Sequence, residues 1–144
     1  MSSSSTPTDV AEAVLAVMRI MRPRVDSVMS AHGLSLARGK VLSVILRDSP
    51  CRPGAIAAQL GQSPRTLTDA VDALERDGLV ARQPDPSDRR AQLLVLTEAG
   101  IAALRAVEAP RREVVDQLFE CLDAAEREQL VAMLRRVEAA AKDA

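Results

Sequence analysis

The stretch from residue 53 to residue 80, PGAIAAQLGQSPRTLTDAVDALERDGLV, constrains the fold more than any other part of the chain. Ile56, Leu60, Leu67, Ala70, Val71 and Leu74 recur at helical spacing on either side of Gly61. Glycine supplies the positive φ a tight connection needs, and Ala57 is small where two helices must approach. Ser63 followed by Pro64 reads as an N-cap and the residue best suited to the first helical position. The spacing predicts a helix over 53–60, a turn, and a helix over 64–77 closed by Gly78, which together make a helix-turn-helix.

On either side the pattern stays helical. Val10, Val14, Val17, Met18, Met21, Val25, Val28 and Met29 predict a long helix to about Ala31, with Pro23 as a candidate kink and His32-Gly33 as its stop. Residues 1–8, rich in serine, are expected to be disordered. Ser35 caps a second helix whose Val41, Leu42, Val44, Ile45 and Leu46 are apolar enough to be buried, and Asp48-Ser49-Pro50 ends it. Thr97 opens another helix, which Pro110 is expected to kink or split. Asp123 and Glu126 form a capping box for the last helix, with Leu130, Val131, Met133, Leu134 and Val137 on one face. A single aromatic residue, Phe119, suits small-residue helix packing over sheets. The expected class is mainly α. Apolar stripes at both ends exceed what a small central unit can cover, so the terminal helices are expected to pack together across a two-fold axis.

Between the helix-turn-helix and Thr97 lies PDPSDRRAQLLVL. Pro84 and Pro86 exclude helix, and the apolar residues after them read as strand. A hairpin with strands at 79–83 and 91–96 carries Asp88, Arg89 and Arg90 at its tip. On the second helix of the motif, turning Leu67, Ala70, Val71 and Leu74 inward sends Arg65, Asp69, Asp72 and Arg76 outward, flanked by Thr66 and Thr68. The exposed N-terminus of such a helix is the end presented to a DNA major groove. Arg65 can take guanine bidentately, Thr66 or Thr68 a thymine methyl or a phosphate, and Asp69 a cytosine amine. The spacing equally allows the surface pairs Arg65/Asp69 and Asp72/Arg76. The hairpin arginines suit a narrow minor groove, with Asp88 as a partner that fixes the Arg90 side chain. Net charge of −1 argues against a nucleic-acid binder, yet residues 38–97 hold nine basic against seven acidic groups while residues 98–144 hold seven against ten.

From Val10 to Ala141 the chain resembles the MarR (multiple antibiotic resistance regulator) family of bacterial transcription regulators. The carriers are DRRAQLLVLT at 88–97 and the helix-turn-helix from Gly54 to Val80. The resemblance implies a winged helix-turn-helix, with 35–97 as the DNA-binding domain and 79–96 as its wing, and 9–34 with 98–142 as a helical dimerisation region. It also implies an obligate homodimer on a pseudo-palindromic DNA operator, and repression relieved by a small-molecule effector or by thiol oxidation. By that match Ser63, Arg65, Thr66, Thr68, Asp69 and Arg76 belong to the recognition helix, and Asp88, Arg89 and Arg90 to the wing. With one aromatic residue, the expected effector cleft is aliphatic, built from Met18, Met21, Met29 and Leu42 with His32 or Arg38 as polar contacts.

Two cysteines give no disulfide framework, and no apolar run nears membrane-spanning length, so a soluble cytoplasmic protein is expected. Arg52 beside Cys51 can lower its thiol pKa, which makes a redox-responsive regulator through Cys51 one alternative, while a structural Cys51 is the expectation. Cys121 is expected to be buried. A winged helix serving a protein partner is the other alternative. His32 is the only histidine, and no phosphate loop, nucleophile motif or metal-ligand spacing occurs, so no enzyme, metal or cofactor is expected.

Overall fold

The computed structural model describes residues 4–143. Its order is α1 (Pro7–Ala31), α2 (Leu36–Asp48), α3 (Pro53–Leu60), α4 (Pro64–Arg76), β1 (Val80–Asp85), β2 (Asp88–Leu96), α5 (Glu98–Phe119) and α6 (Ala124–Lys142). The two strands form one antiparallel sheet, so the fold is mainly α with a small wing.

Local chemistry explains most boundaries. Ser35, Ser63, Thr97 and Asp123 each accept the backbone amide three residues on, and Gly61 (φ 62) and Gly78 (φ 75) take the left-handed conformation after α3 and α4. The expected disorder over 1–8 is corrected where the structure describes it: Thr6 and Asp9 form a capping box, and Pro7 starts α1. Residues 1–3 lie outside the described part. Pro23 and Pro110 each remove one amide donor, yet α1 and α5 continue across them, so Pro110 does not split α5.

The core lies in the central lobe. Leu34, Leu42, Ile45, Ile56, Leu67, Leu74 and Leu94 are wholly enclosed. Leu46, expected with them, is half exposed, because it sits a further 100° around α2 from Ile45. From the flanking helices only Val25, Met29 and Val107 are buried apolar side chains. α1 packs along α5 rather than along α6, and α6 buries none of its residues. Its Val131, Met133, Leu134 and Val137 face outward, as do Val10, Val14 and Val17 of α1. Cys121 is exposed, not buried, because it falls in the turn between α5 and α6.

The wing differs in register from the expected hairpin. β1 runs on through Pro84 to Asp85, and β2 starts at Asp88, so the tip is Pro86-Ser87 and Arg89 and Arg90 already lie on a strand. A proline is tolerated there because the sheet has only two strands and both are edges. Cys51 extends the sheet's root by an isolated antiparallel bridge to Leu94.

Candidate nucleic-acid interface

The second helix of the motif presents a well-made N-terminus. The Ser63 hydroxyl accepts the Thr66 amide at 3.1 Å and shares a hydrogen bond with the Thr66 hydroxyl at 2.8 Å. The Thr68 hydroxyl donates back to the Pro64 carbonyl at 2.8 Å. All three side chains are exposed, but their hydroxyls already have partners. Arg65, Asp69 and Arg76 are exposed too, and none has an ion-pair partner among the described residues. The pairs Arg65/Asp69 and Asp72/Arg76 do not form.

Asp72 turns instead to Arg82 of β1, accepting from its Nη2 at 2.5 Å, while Glu75 takes the other Nη of the same guanidinium. Both carboxylates raise the arginine's already high pKa, its hydrogen bond to Asp72 most. At the end of α4, Arg38 binds the Asp77 carboxylate and, at 3.4 Å, the Ala73 carbonyl. Three of the four carboxylates from Asp69 to Asp77 are thus matched by cations of the same chain. Sequence reasoning missed Arg82, because its role depends on how β1 lies across α4 and no local spacing encodes that.

On the wing, Asp88, Arg89 and Arg90 are exposed, and the two arginines have no carboxylate partner among the described residues. Asp88 holds the backbone amide of Arg90 at 3.0 Å and not its guanidinium, which corrects the expected tether. The wing's other aspartate went unread. Asp85 is only 7% exposed, and it accepts from Arg52 at 2.9 and 2.6 Å and from the amide and hydroxyl of Ser87 at 2.8 and 2.7 Å. The Ser87 hydroxyl and amide, then Arg52, hold its pKa down at about 2.

That engagement removes the basis for a reactive Cys51. Arg52 is committed to Asp85, and the buried thiol is pushed up from its ordinary pKa by burial and then by the charge of Asp48, opposite to the lowering that the redox alternative needs. The six residues assigned to an effector cleft do not assemble either. Leu42 is wholly in the core, Met18 is partly exposed on α1, Met21 is only half-buried, the His32 ring lies 2.8 Å from the Val28 carbonyl, and Arg38 serves α4. Met29 alone among them lines the cleft of about 460 Å³ between the central lobe and α5, together with Lys40, Ser43, Leu104, Glu108 and Arg111. Among the described residues no cluster of histidine, cysteine or carboxylate groups could hold a metal ion, and no helix is long and apolar enough to cross a membrane.

Comparison with known proteins converges on one family. A model of the MarR family matches residues 34–91. The HTH-type transcriptional regulator YwhA of Bacillus subtilis is 30% identical over 100 residues, covering 69% of this chain and 72% of that protein. Transcriptional repressor MprA of Escherichia coli is 34% identical over 86 residues, 60% of this chain, and the match spans only 49% of MprA. Among solved structures, wild-type apo MarR from E. coli superposes with a TM-score of 0.81 over 94% of this chain and 98% of that one at 24% identity. A mutant E. coli MarR complexed with operator DNA gives 0.80 over 89% and 92% at 25% identity.

Proposed function

The chain belongs to the MarR family of DNA-binding transcription regulators, and we propose that it is a homodimeric, sequence-specific repressor that a small ligand releases from its operator. The carrying observation is the division of charge on the central lobe. Arg65 at the start of α4 and Arg89 and Arg90 on the wing are exposed and unpaired among the described residues, while Asp77 is paired with Arg38 and Asp72 and Glu75 share Arg82, which leaves one net negative charge among the three carboxylates. Cations free to meet phosphates and base edges stand where a winged helix-turn-helix needs them.

In this reading residues 35–97 bind double-stranded DNA. The recognition helix reads the major groove through Arg65, Thr66 and Thr68, with Ser63 fixing its start and Asp69 and Arg76 on the same exposed face. Arg90 of the wing enters the minor groove and Arg89 supports it at the backbone. Residues 9–34 and 98–142 form the dimerisation region. The exposed apolar side chains of α1 and α6 support this, since a monomer leaving Val14, Val131, Leu134 and Val137 in water forgoes their burial. Repression has its support in the likeness to MprA, a transcriptional repressor. Ligand release has its support in the cleft beside Met29, whose volume suits a small molecule and whose Lys40 and Arg111 can orient an anionic group.

The test is selection of bound sequences from a random duplex pool by the purified protein at about 0.15 M salt, where non-specific phosphate binding is already weakened. Enrichment of a pseudo-palindrome with half-sites about one helical turn apart is expected. A folded protein that enriches nothing, at this salt or lower, would defeat the reading.

A further inference from the structure

The wing is held at two heights by consecutive residues. At its root Cys51 and Leu94 exchange backbone hydrogen bonds of 3.3 and 2.8 Å. Near its tip Arg52 grips one oxygen of Asp85 through Nε and Nη2, while the other oxygen collects the amide and hydroxyl of Ser87. Arg52 Nη2 also comes within 3.5 Å of that hydroxyl. Strict alternation from Val80 would place Asp85 with Ala81 and Gln83, away from Val80. The register shift between Pro84 and Asp85 turns it inward instead, the way a bulge re-aims a side chain. A carboxylate enclosed this far is retained only with its partners in place.

An isolated two-stranded hairpin is marginal in water, and a tip without support must be ordered at the moment it binds. We propose that Arg52 is a positioning residue for DNA binding, acting through Asp85 and Ser87 to fix the turn from which Arg89 and Arg90 leave. This rests on the DNA-binding reading above. Arg52 itself is spent on Asp85, so its effect on affinity passes through the wing arginines.

The experiment is a double-mutant cycle on the full-length protein, titrated against the duplex enriched by selection. Arg52→Ala is expected to weaken binding about tenfold alone but less than about twofold in an Arg90→Ala background, since coupled residues do not add. Arg52→Lys, which keeps one ion pair, should recover part of the loss. Hydrogen exchange should quicken at the amides of Ser87 and Arg90 and stay unchanged in α4. Losses that multiply in the double variant, or an Arg52→Ala protein that binds as tightly as the parent, would overturn the proposal. Should Arg52→Ala not fold, Asp85→Asn carries the same cycle with the shape retained. If the parent protein binds no duplex, the DNA-binding reading fails by itself. Exchange then decides the brace: faster exchange confined to residues 85–90 upholds it, and unaltered exchange rejects it.

Discussion

Gly100, at the start of α5, lies against the Leu79 backbone just before β1, and Gly100→Ala tests whether that contact is fixed. An added Cβ would stand 3.1 Å from the Leu79 carbonyl carbon and nearer still to its oxygen, inside the 3.0 Å that Cβ atoms keep from other heavy atoms. Both sides of the clash are backbone, so no side chain can swing aside. Relief requires drawing the start of α5 away from the strand entry, and three hydrogen bonds converge there. Leu79 O accepts the Thr97 amide at 3.1 Å, Gly78 O accepts the Thr97 hydroxyl at 2.6 Å, and that hydroxyl accepts the Gly100 amide at 3.1 Å. The cap bond between Thr97 and Gly100 moves with the start of α5, so only the two bonds to Gly78 and Leu79 are lost, at about 1 kcal/mol each and about 2 kcal/mol in all. Alanine gains about 1 kcal/mol over glycine in a helix, leaving a net destabilisation of about 1 kcal/mol. For a chain of this size that is a fall in Tm of about 2–4 °C. The assay is thermal unfolding at one fixed protein concentration, because association shifts the midpoint. An unchanged or raised Tm would refute the reasoning, since helix propensity would then outweigh a contact that gives way freely.

Other outcomes follow from the same geometry. Asp85 has its pKa lowered from 3.8 to about 2, so its contribution to stability is full above pH 3.8 and disappears as pH falls through about 2; the Tm difference between the parent and Asp85→Asn should close over that window. Leu134→Glu removes nothing from the core of one chain, and sedimentation at micromolar concentration should show it monomeric where the parent is dimeric; an unchanged dimer places the interface elsewhere. Arg65→Ala should relax base preference at one position of each half-site by about tenfold, whereas Arg90→Ala should weaken all sequences and flatten the salt dependence; equal, sequence-independent losses would undo these roles. Arg82→Ala should weaken binding several-fold in a gel-shift titration, with recovery when Asp72→Asn and Glu75→Gln are added; no recovery would mean that Arg82 touches DNA itself.

The helix-turn-helix was legible because each of its boundaries is set by residues a few positions apart. Ser63 with Pro64, Gly61 and Gly78 act within one turn of themselves, and the apolar positions of α4 match its buried face almost one for one. The wing was legible as a hairpin but not in register, since the bulge at Pro84/Asp85 answers to Arg52, 33 residues upstream. Adjacent charges misled for the same reason. Arg52 was read with its neighbour Cys51, and Asp72 with Arg76 on its own helix, while both found partners on β1. The effector cleft failed as a prediction because hydrophobicity and helical spacing do not say which side of a helix faces a void: Met29 lines one, but Leu42 is sealed in the core. Thr6 and Asp9 carried a readable capping box that the serine-rich composition before them obscured.

A net charge of −1 is compatible with binding a polyanion once the charges are placed rather than summed. The ion pairs Arg82–Asp72, Arg82–Glu75 and Arg38–Asp77 are partly solvent-exposed, and pairs of that kind add little to stability. Their consequence is electrostatic. Asp72, Glu75 and Asp77 would each repel phosphate at short range if left bare, and a Debye length of about 8 Å at physiological salt does not screen a charge that close. By drawing Arg82 from the wing and Arg38 from α2 onto those carboxylates, the fold offsets much of the acidity along α4 with cations from neighbouring elements. Arg65, Arg89 and Arg90 are left with no carboxylate partner among the described residues, as the proposed reading requires of cations that meet DNA, and the acidic surplus of residues 98–144 lies on the helices proposed for dimerisation.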